Sequence, residues 1–82
     1  VEFDPMRPKW QQIADEITRR IERGEYPERF QLSEVRLASE FGVNRDTVRK
    51  ATKALRDSGL ITNVPNMGTF VRPSADDRQA DE

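Results

Sequence analysis

The chain predicts a winged helix-turn-helix: mainly α, three helices with a small antiparallel sheet that ends in a β-hairpin wing. Three observations carry this. Residues 33–56 hold two short helical patterns hinged at Phe41-Gly42-Val43. The second pattern is basic, with Arg45, Arg49, Lys50, Lys53 and Arg56 against one acid, Asp46. Directly after it the apolar period changes from helical to extended, around a Pro65-Asn66-Met67-Gly68 turn. A short helix, a basic second helix and a hairpin make the arrangement that sets side chains into a major groove.

The elements follow in order. Residues 1–7 read as an N-terminal arm, because Pro5 and Pro8 resist helix while Pro8 suits a first helical turn. Trp10, Ile13, Ile17 and Ile21 then recur at helical spacing with Ala14 beside them, which predicts a helix over about 8–23 stopped at Gly24. On its wet side Asp15/Arg19 and Glu16/Arg20 form i,i+4 pairs in the favourable order. Residues 25–29 are a loop, and Phe30-Gln31-Leu32 is extended. Ser33 is the expected N-cap of a helix over about 34–41, with Glu34 in the first turn, where the helix dipole favours an acid. Leu37, Ala38 and Phe41 face inward, Gly42 ends the helix, and Val43 plugs the angle.

Asn44 stands at the start of the third helix, about 45–58, whose inward residues are Val48, Ala51 and Leu55. At about 100° per residue, Arg45, Arg49, Thr52 and Arg56 fall within about 60° of one another, on a face away from that buried stripe. Ser58-Gly59 closes the helix. Leu60–Val64 reads as a strand. Asn66 and Gly68 suit a turn that needs positive φ. Thr69–Arg72 returns, and Pro73 stops it. Residues 74–82 form an acidic tail or the start of a linker, so the expected domain spans 8–73. The carboxylate Asp77, three residues after Ser74, also fits a helix start that a longer chain would continue.

Composition narrows the function classes. Eighty-two residues, 35% of them charged, build one small core with little room for an enclosed substrate pocket. There is no histidine and no cysteine, which removes His general bases, Cys nucleophiles and nearly all zinc chemistry. Adjacent acids such as Asp15/Glu16 diverge on a helix and do not converge on one atom. No enzyme, metal or cofactor is expected. No apolar run approaches the roughly 20 residues of a membrane span, and no signal-peptide pattern opens the chain. The expected location is the cytoplasm, at the nucleoid. The whole chain carries net −1, but residues 32–75 carry net +3 and residues 76–82 net −3. Phosphates respond to the local field within about 8–10 Å, so the basic segment outweighs the total.

Residues near the start of a recognition helix approach base edges, which nominates Asn44, Arg45, Asp46, Thr47 and Arg49. Asn44 has a rival role as N-cap. Arginine offers a planar fork for guanine or phosphate, whereas Lys50 and Lys53 act as point charges. Asp46 either favours the helix N-terminus, orients a neighbouring arginine or accepts from a cytosine amino group.

From Trp10 to Val71 the chain resembles the DNA-binding domain of the GntR family of bacterial transcription regulators. The stretches that carry the resemblance are Trp10–Ala14, Gly24-Glu25-Tyr26-Pro27, Ser33-Glu34 with Leu37-Ala38, Phe41–Arg49, Leu55 with Gly59-Leu60-Ile61, and Gly68-Thr69-Phe70-Val71. The resemblance implies that Arg45, Thr47 and Arg49 contact DNA and that the wing tip at Gly68 enters the adjacent minor groove. With their neighbours, the candidate DNA-binding residues are Ser33, Arg36, Asn44, Arg45, Asp46, Thr47, Arg49, Lys50, Lys53, Asn66, Met67, Gly68 and Thr69.

The family reads Leu-Pro-Ser-Glu-Arg where this chain reads Gln31-Leu32-Ser33-Glu34-Val35. Val35 cannot replace that arginine, and Arg36 points about 100° away. The family wing, Gln-Gly-x-Gly, is here Pro65-Asn66-Met67-Gly68 with no basic tip, so a weaker minor-groove contribution is expected. Family members carry an effector-binding, dimerising domain; the chain here is either a cut DNA-binding domain or one of the small effector-free members that Phe3–Trp10 suggests. No small-molecule effector is expected in it. The expected partner is double-stranded DNA, a palindromic operator with half-sites about one turn apart if two copies pair on it. The expected outcome is regulation of transcription, as a repressor. The alternative is a winged helix used as a protein-interaction module.

Overall fold

Ser33, Gly42 and Gly68 punctuate the chain where its elements change direction. The computed structural model describes residues 3–72; the predicted tail at 74–82 and Pro73 lie outside the described residues. Three helices, α1 (Lys9–Glu22), α2 (Glu34–Phe41) and α3 (Arg45–Ser58), precede a hairpin of β2 (Ile61–Val64) and β3 (Gly68–Val71), with the two-residue β1 (Gln31–Leu32) between α1 and α2. The sheet order is β1-β3-β2, antiparallel throughout. This is the predicted winged helix-turn-helix, within a residue or two at every boundary.

Each boundary has a local cause. The Ser33 hydroxyl accepts from the Arg36 amide at 3.2 Å, filling one of the unpaired donors at the start of α2. Gly42 takes a left-handed φ of 69°, and the next amide, Val43, returns to the Ala38 carbonyl at 3.0 Å. That reversal turns the chain between α2 and α3 within three residues. In the wing, Asn66 and Gly68 adopt φ of 67° and 121°, and the Met67 amide donates to the Val64 carbonyl at 3.0 Å.

The core draws on every element. Ile13, Ile17, Val48, Ala51 and Ile61 are closed to solvent, with Leu32, Leu37, Phe41, Leu55 and Val71 nearly so. Burying a large aliphatic side chain of this kind stabilises the fold by about 1.5–3 kcal/mol relative to exposure. Trp10, Ile21, Tyr26, Val43 and Leu60 pack around them half-buried. β1 owes its place to register: Gln31 and Leu32 lie opposite Phe70 and Thr69, and the Arg29 amide extends the pairing to the Val71 carbonyl at 2.8 Å. The wing thereby supplies two strands of a three-stranded sheet and is not an isolated hairpin.

Residues 3–7 fold back onto α1. Gln12 accepts from the Asp4 amide at 2.8 Å and donates to the Asp4 and Arg7 carbonyls. Phe3 lies against Phe41, ring centroids 6.5 Å apart.

Two predicted side-chain placements change. Asp15 pairs with Arg7 at 2.6 Å and not with Arg19, which instead meets Glu16 at 2.7 Å. Local spacing allowed the Asp15/Arg19 pair, but the docked arm brings a second cation to Asp15. Arg20, read as a wet-side residue, has a side chain only 14% exposed. It bridges Glu16 on α1, Glu40 on α2 and the Tyr26 hydroxyl, and its guanidinium lies over the Phe41 ring. The hydrogen bond to Glu40 is the main cause that raises its pKa further above the ordinary arginine value. The hydrogen bond from Arg19 lowers the Glu16 pKa; partial burial opposes that, and Arg20 adds to it.

Candidate nucleic-acid interface

The third helix presents its polar side because its apolar side is covered from three directions, by α1, α2 and β2. Around its axis, Val48, Ala51, Thr52 and Leu55 form the buried arc. Arg45, Asp46, Arg49, Lys50, Lys53 and Arg56 are exposed, and Thr47 is half-buried at the edge. By helical rotation the exposed arc has two flanks. Arg45, Arg49 and Arg56 lie on one side; Lys50, Ala54 and Thr47 lie about 100–200° away on the other.

Thr52 is a correction. The sequence placed it with the arginines on the exposed face, yet it is 1% exposed. It stands four residues after Val48, only about 40° from it around the helix, and the packed neighbours reach that far. Its hydroxyl donates to the Arg49 carbonyl at 3.0 Å, so the buried polar group is satisfied.

At the amino end of α3, Asn44 occupies the N-cap position, but its side chain makes no cap hydrogen bond. Its exposed amide is free of the rival role the sequence gave it. Asn44 and Thr47 border an open cleft with Lys9, Gly42 and Val43. Lys50 and Lys53 border a different one, with Trp10, Ala54 and Asp57. Ser33 and Arg36 line a third, between α1, β1 and α2, with Arg20, Tyr26 and Glu40. The candidates on α2 and those on the Lys50 side of α3 therefore face separate depressions.

The structure does join α2 to α3 at one charged point. Arg49 donates from Nη1 to Asp46 at 3.1 Å, and its Nε lies 3.5 Å from a Glu34 carboxylate oxygen. Asp46 is thus paired with a neighbouring arginine on its own helix. Glu34 is not among the residues the sequence nominated for DNA contact. There it stands as an acid in a helix first turn, which dipole compensation explains, and as part of the Ser33-Glu34 stretch of the family resemblance. Val35 is 59% exposed beside it and carries no charge.

The wing candidates stand apart. Asn66 and Met67 are exposed, Gly68 and Thr69 half-buried. Gln31 Nε2 donates to the Met67 carbonyl at 3.1 Å, and a Cβ at Gly68 would lie 2.7 Å from that same nitrogen. No wing residue is basic between Ile61 and Val71. Among the described residues no group of three or more acidic, Cys or His side chains gathers as a metal site, and no helix is long and apolar enough to cross a membrane.

Comparison with known proteins places this geometry. The model for bacterial regulatory proteins of the gntR family matches residues 9–71. An uncharacterised HTH-type transcriptional regulator of Rhizobium meliloti is 46% identical over 63 residues, which are 76% of this chain and 26% of that protein. The mannosyl-D-glycerate transport/metabolism system repressor MngR of Escherichia coli is 39% identical over 67 residues, 80% of this chain and 28% of that protein. The chain spans about a quarter of the length of these curated relatives. Among solved structures, the AraR DNA-binding domain in complex with its operator ORX1 superposes with a TM-score of 0.78 at 36% identity, covering 87% of this chain and 92% of that one. A GntR family transcriptional regulator from Listeria monocytogenes superposes at 0.83 with 26% identity, covering 95% of this chain and 69% of that one. A family match over nearly the whole described fold, with relatives well above 30% identity, establishes that the chain belongs to the GntR family of bacterial regulatory proteins.

Proposed function

We propose that this chain binds double-stranded DNA in a sequence-specific manner and regulates transcription, as a repressor, with α3 in the major groove and the β2–β3 wing at the flanking minor groove. The observation that carries the reading is the exposed arc of α3: seven charged side chains, five of them basic, on a helix whose other side is packed. MngR is named a repressor, and the AraR domain is bound to an operator; both support the same reading here. Residues 8–73 form the DNA-binding domain. Arg45, Thr47, Arg49 and Asn44 face base edges, Lys50 and Lys53 attract phosphates, Ser33 and Arg36 border the backbone, and Asn66–Thr69 reach the minor groove. Two copies on a palindromic operator account for half-sites about one helical turn apart. An acyl, phosphoryl or redox reaction has no support in a chain without histidine or cysteine.

The test is enrichment of bound duplexes from a random pool, followed by affinity at two salt concentrations. The expected result is one enriched half-site in inverted repeat, with log affinity falling against log salt by about 0.9 per phosphate contact. No enrichment, with salt-independent or absent binding, rejects the proposal in favour of a protein-interaction module.

A further inference from the structure

Among the described residues Arg49 alone of the α3 bases has acidic partners: Asp46 on its own helix and Glu34 on α2. We propose that these two carboxylates position Arg49 for reading a base, and that Glu34 is thereby a specificity-determining residue acting through Arg49. The inference rests on the DNA-binding reading above and extends it to a residue outside the recognition helix.

Three arguments support it. The first concerns stability. The side chains of Arg49, Asp46 and Glu34 are 55%, 83% and 34% exposed, and ion pairs so wet contribute little to folding. Their presence needs another reason. The second concerns charge. Two carboxylates on the surface offered to a polyanion weaken attraction to every duplex. An arginine serving only as a phosphate anchor would act better without them, as Lys50 and Lys53 do. The third concerns geometry. A guanidinium reads guanine only when its planar fork meets O6 and N7 edge-on, whereas a phosphate accepts it from many angles. The hydrogen bond from Nη1 to Asp46 and the looser 3.5 Å approach of Nε to Glu34 bias the plane, and they leave the second Nη1 hydrogen and Nη2, which has no hydrogen bond among the described residues, as a fork free to donate. Glu34 is itself held, because it opens a helix whose first turn is fastened by the Ser33 cap. The side chain of α3 is thereby oriented from α2, across the Gly42 reversal.

The experiment compares the wild-type chain with Glu34→Gln, Glu34→Asp, Arg49→Ala and the Glu34→Gln/Arg49→Ala double variant. The probes are the duplex enriched by the wild type, its single-base-pair substitutions and a scrambled duplex. The side chains of Glu34 and Arg49 are both partly exposed, and thermal unfolding by circular dichroism checks that each variant folds. Glu34→Gln is expected to lose about fivefold in preference at one base pair, the pair at which Arg49→Ala loses preference, while binding the scrambled duplex more tightly. Glu34→Asp keeps the charge but withdraws the carboxylate by one methylene. It is expected to lose the same preference without the general rise. In the Arg49→Ala background, Glu34→Gln is expected to add nothing.

Two results overturn the inference. The first is that Glu34→Asp keeps full preference while Glu34→Gln strengthens all duplexes alike, for then the acid only repels. A Glu34→Gln loss that persists without Arg49 means that Glu34 meets DNA itself. Failure of the wild type to enrich any duplex rejects the DNA-binding reading and this role with it, whereas enrichment with preferences unchanged in both Glu34 variants rejects the positioning role alone.

Discussion

Gln31 fastens the wing: its side-chain amide donates to the Met67 carbonyl at 3.1 Å, from a strand that precedes the recognition helix to a turn that follows it. The contact explains how a turn with no basic residue keeps a defined shape. A Cβ at Gly68 would come within 2.7 Å of Gln31 Nε2, so a side chain there would push the Gln31 amide out of this contact.

Gly68→Ala is expected to destabilise the chain by about 1–3 kcal/mol in urea unfolding, because φ of 121° is strained for any residue with a Cβ. In a Gln31→Ala background the steric part disappears and the backbone strain persists. The substitution should therefore cost less there, but not nothing. Equal stability of Gly68→Ala and wild type would contradict the turn geometry.

Ser33 and Asn44 hold the same position on their helices and should respond differently. Ser33→Ala removes a formed cap bond and is expected to cost about 1 kcal/mol. Asn44 forms no side-chain cap bond, so Asn44→Ala should cost much less in unfolding, with its larger effect on DNA affinity. The two values can be read from paired denaturant titrations and a binding assay.

Arg20 ties α1 to α2 and to the loop between them. Arg20→Met is expected to cost about 2 kcal/mol. It leaves Glu40 without this partner and Glu16 with only the exposed arginines Arg19 and Arg23, and the exposed rim of the site discounts the larger penalties seen for deeply buried pairs. Arg20→Lys should recover only part, since an ammonium cannot span three acceptors with a fixed fork.

Acid should destabilise the fold in part through Glu16. Its folded pKa lies below 4.5, chiefly through the hydrogen bond from Arg19, so the unfolded state takes up a proton first as pH falls. The stabilisation is complete above about 4.5 and is lost as pH drops below it through the folded value. Urea midpoints at pH 6 and pH 3 should fall less for Glu16→Gln than for wild type.

Thr52→Val tests the corrected face of α3. The hydroxyl is buried and bonded to the Arg49 carbonyl. The change should shift stability by no more than about 1.5 kcal/mol and leave DNA affinity unaltered. A tenfold loss of affinity with unchanged stability would place Thr52 on the exposed face after all.

Much of this was legible in the chain. Ser33, Gly42 and Gly59 mark element ends by their own conformational chemistry, so boundaries followed without tertiary information. The extended Phe30-Gln31-Leu32 segment was legible as a strand, but its pairing with β3 was not, because two residues carry no register. At the candidate site, the exposed bases of α3 were legible from the hinge and the helical period. Glu34 was not, since its partner lies fifteen positions away on another helix.

The sequence by itself determined the three helices, the reversal at Gly42, the wing turn at Asn66 and Gly68, and the family. These depend on local backbone preferences and on the apolar period, both of which act within a few residues. Only the tertiary structure decided that Thr52 is inside, that Arg20 is a bridge, that Asp15 meets Arg7 and that Arg49 is held by two acids. Each of those depends on how far a neighbouring element reaches around a helix flank, or on which of several nearby charges arrives first. Helical spacing fixes a side chain's angle, but packing decides what stands opposite it.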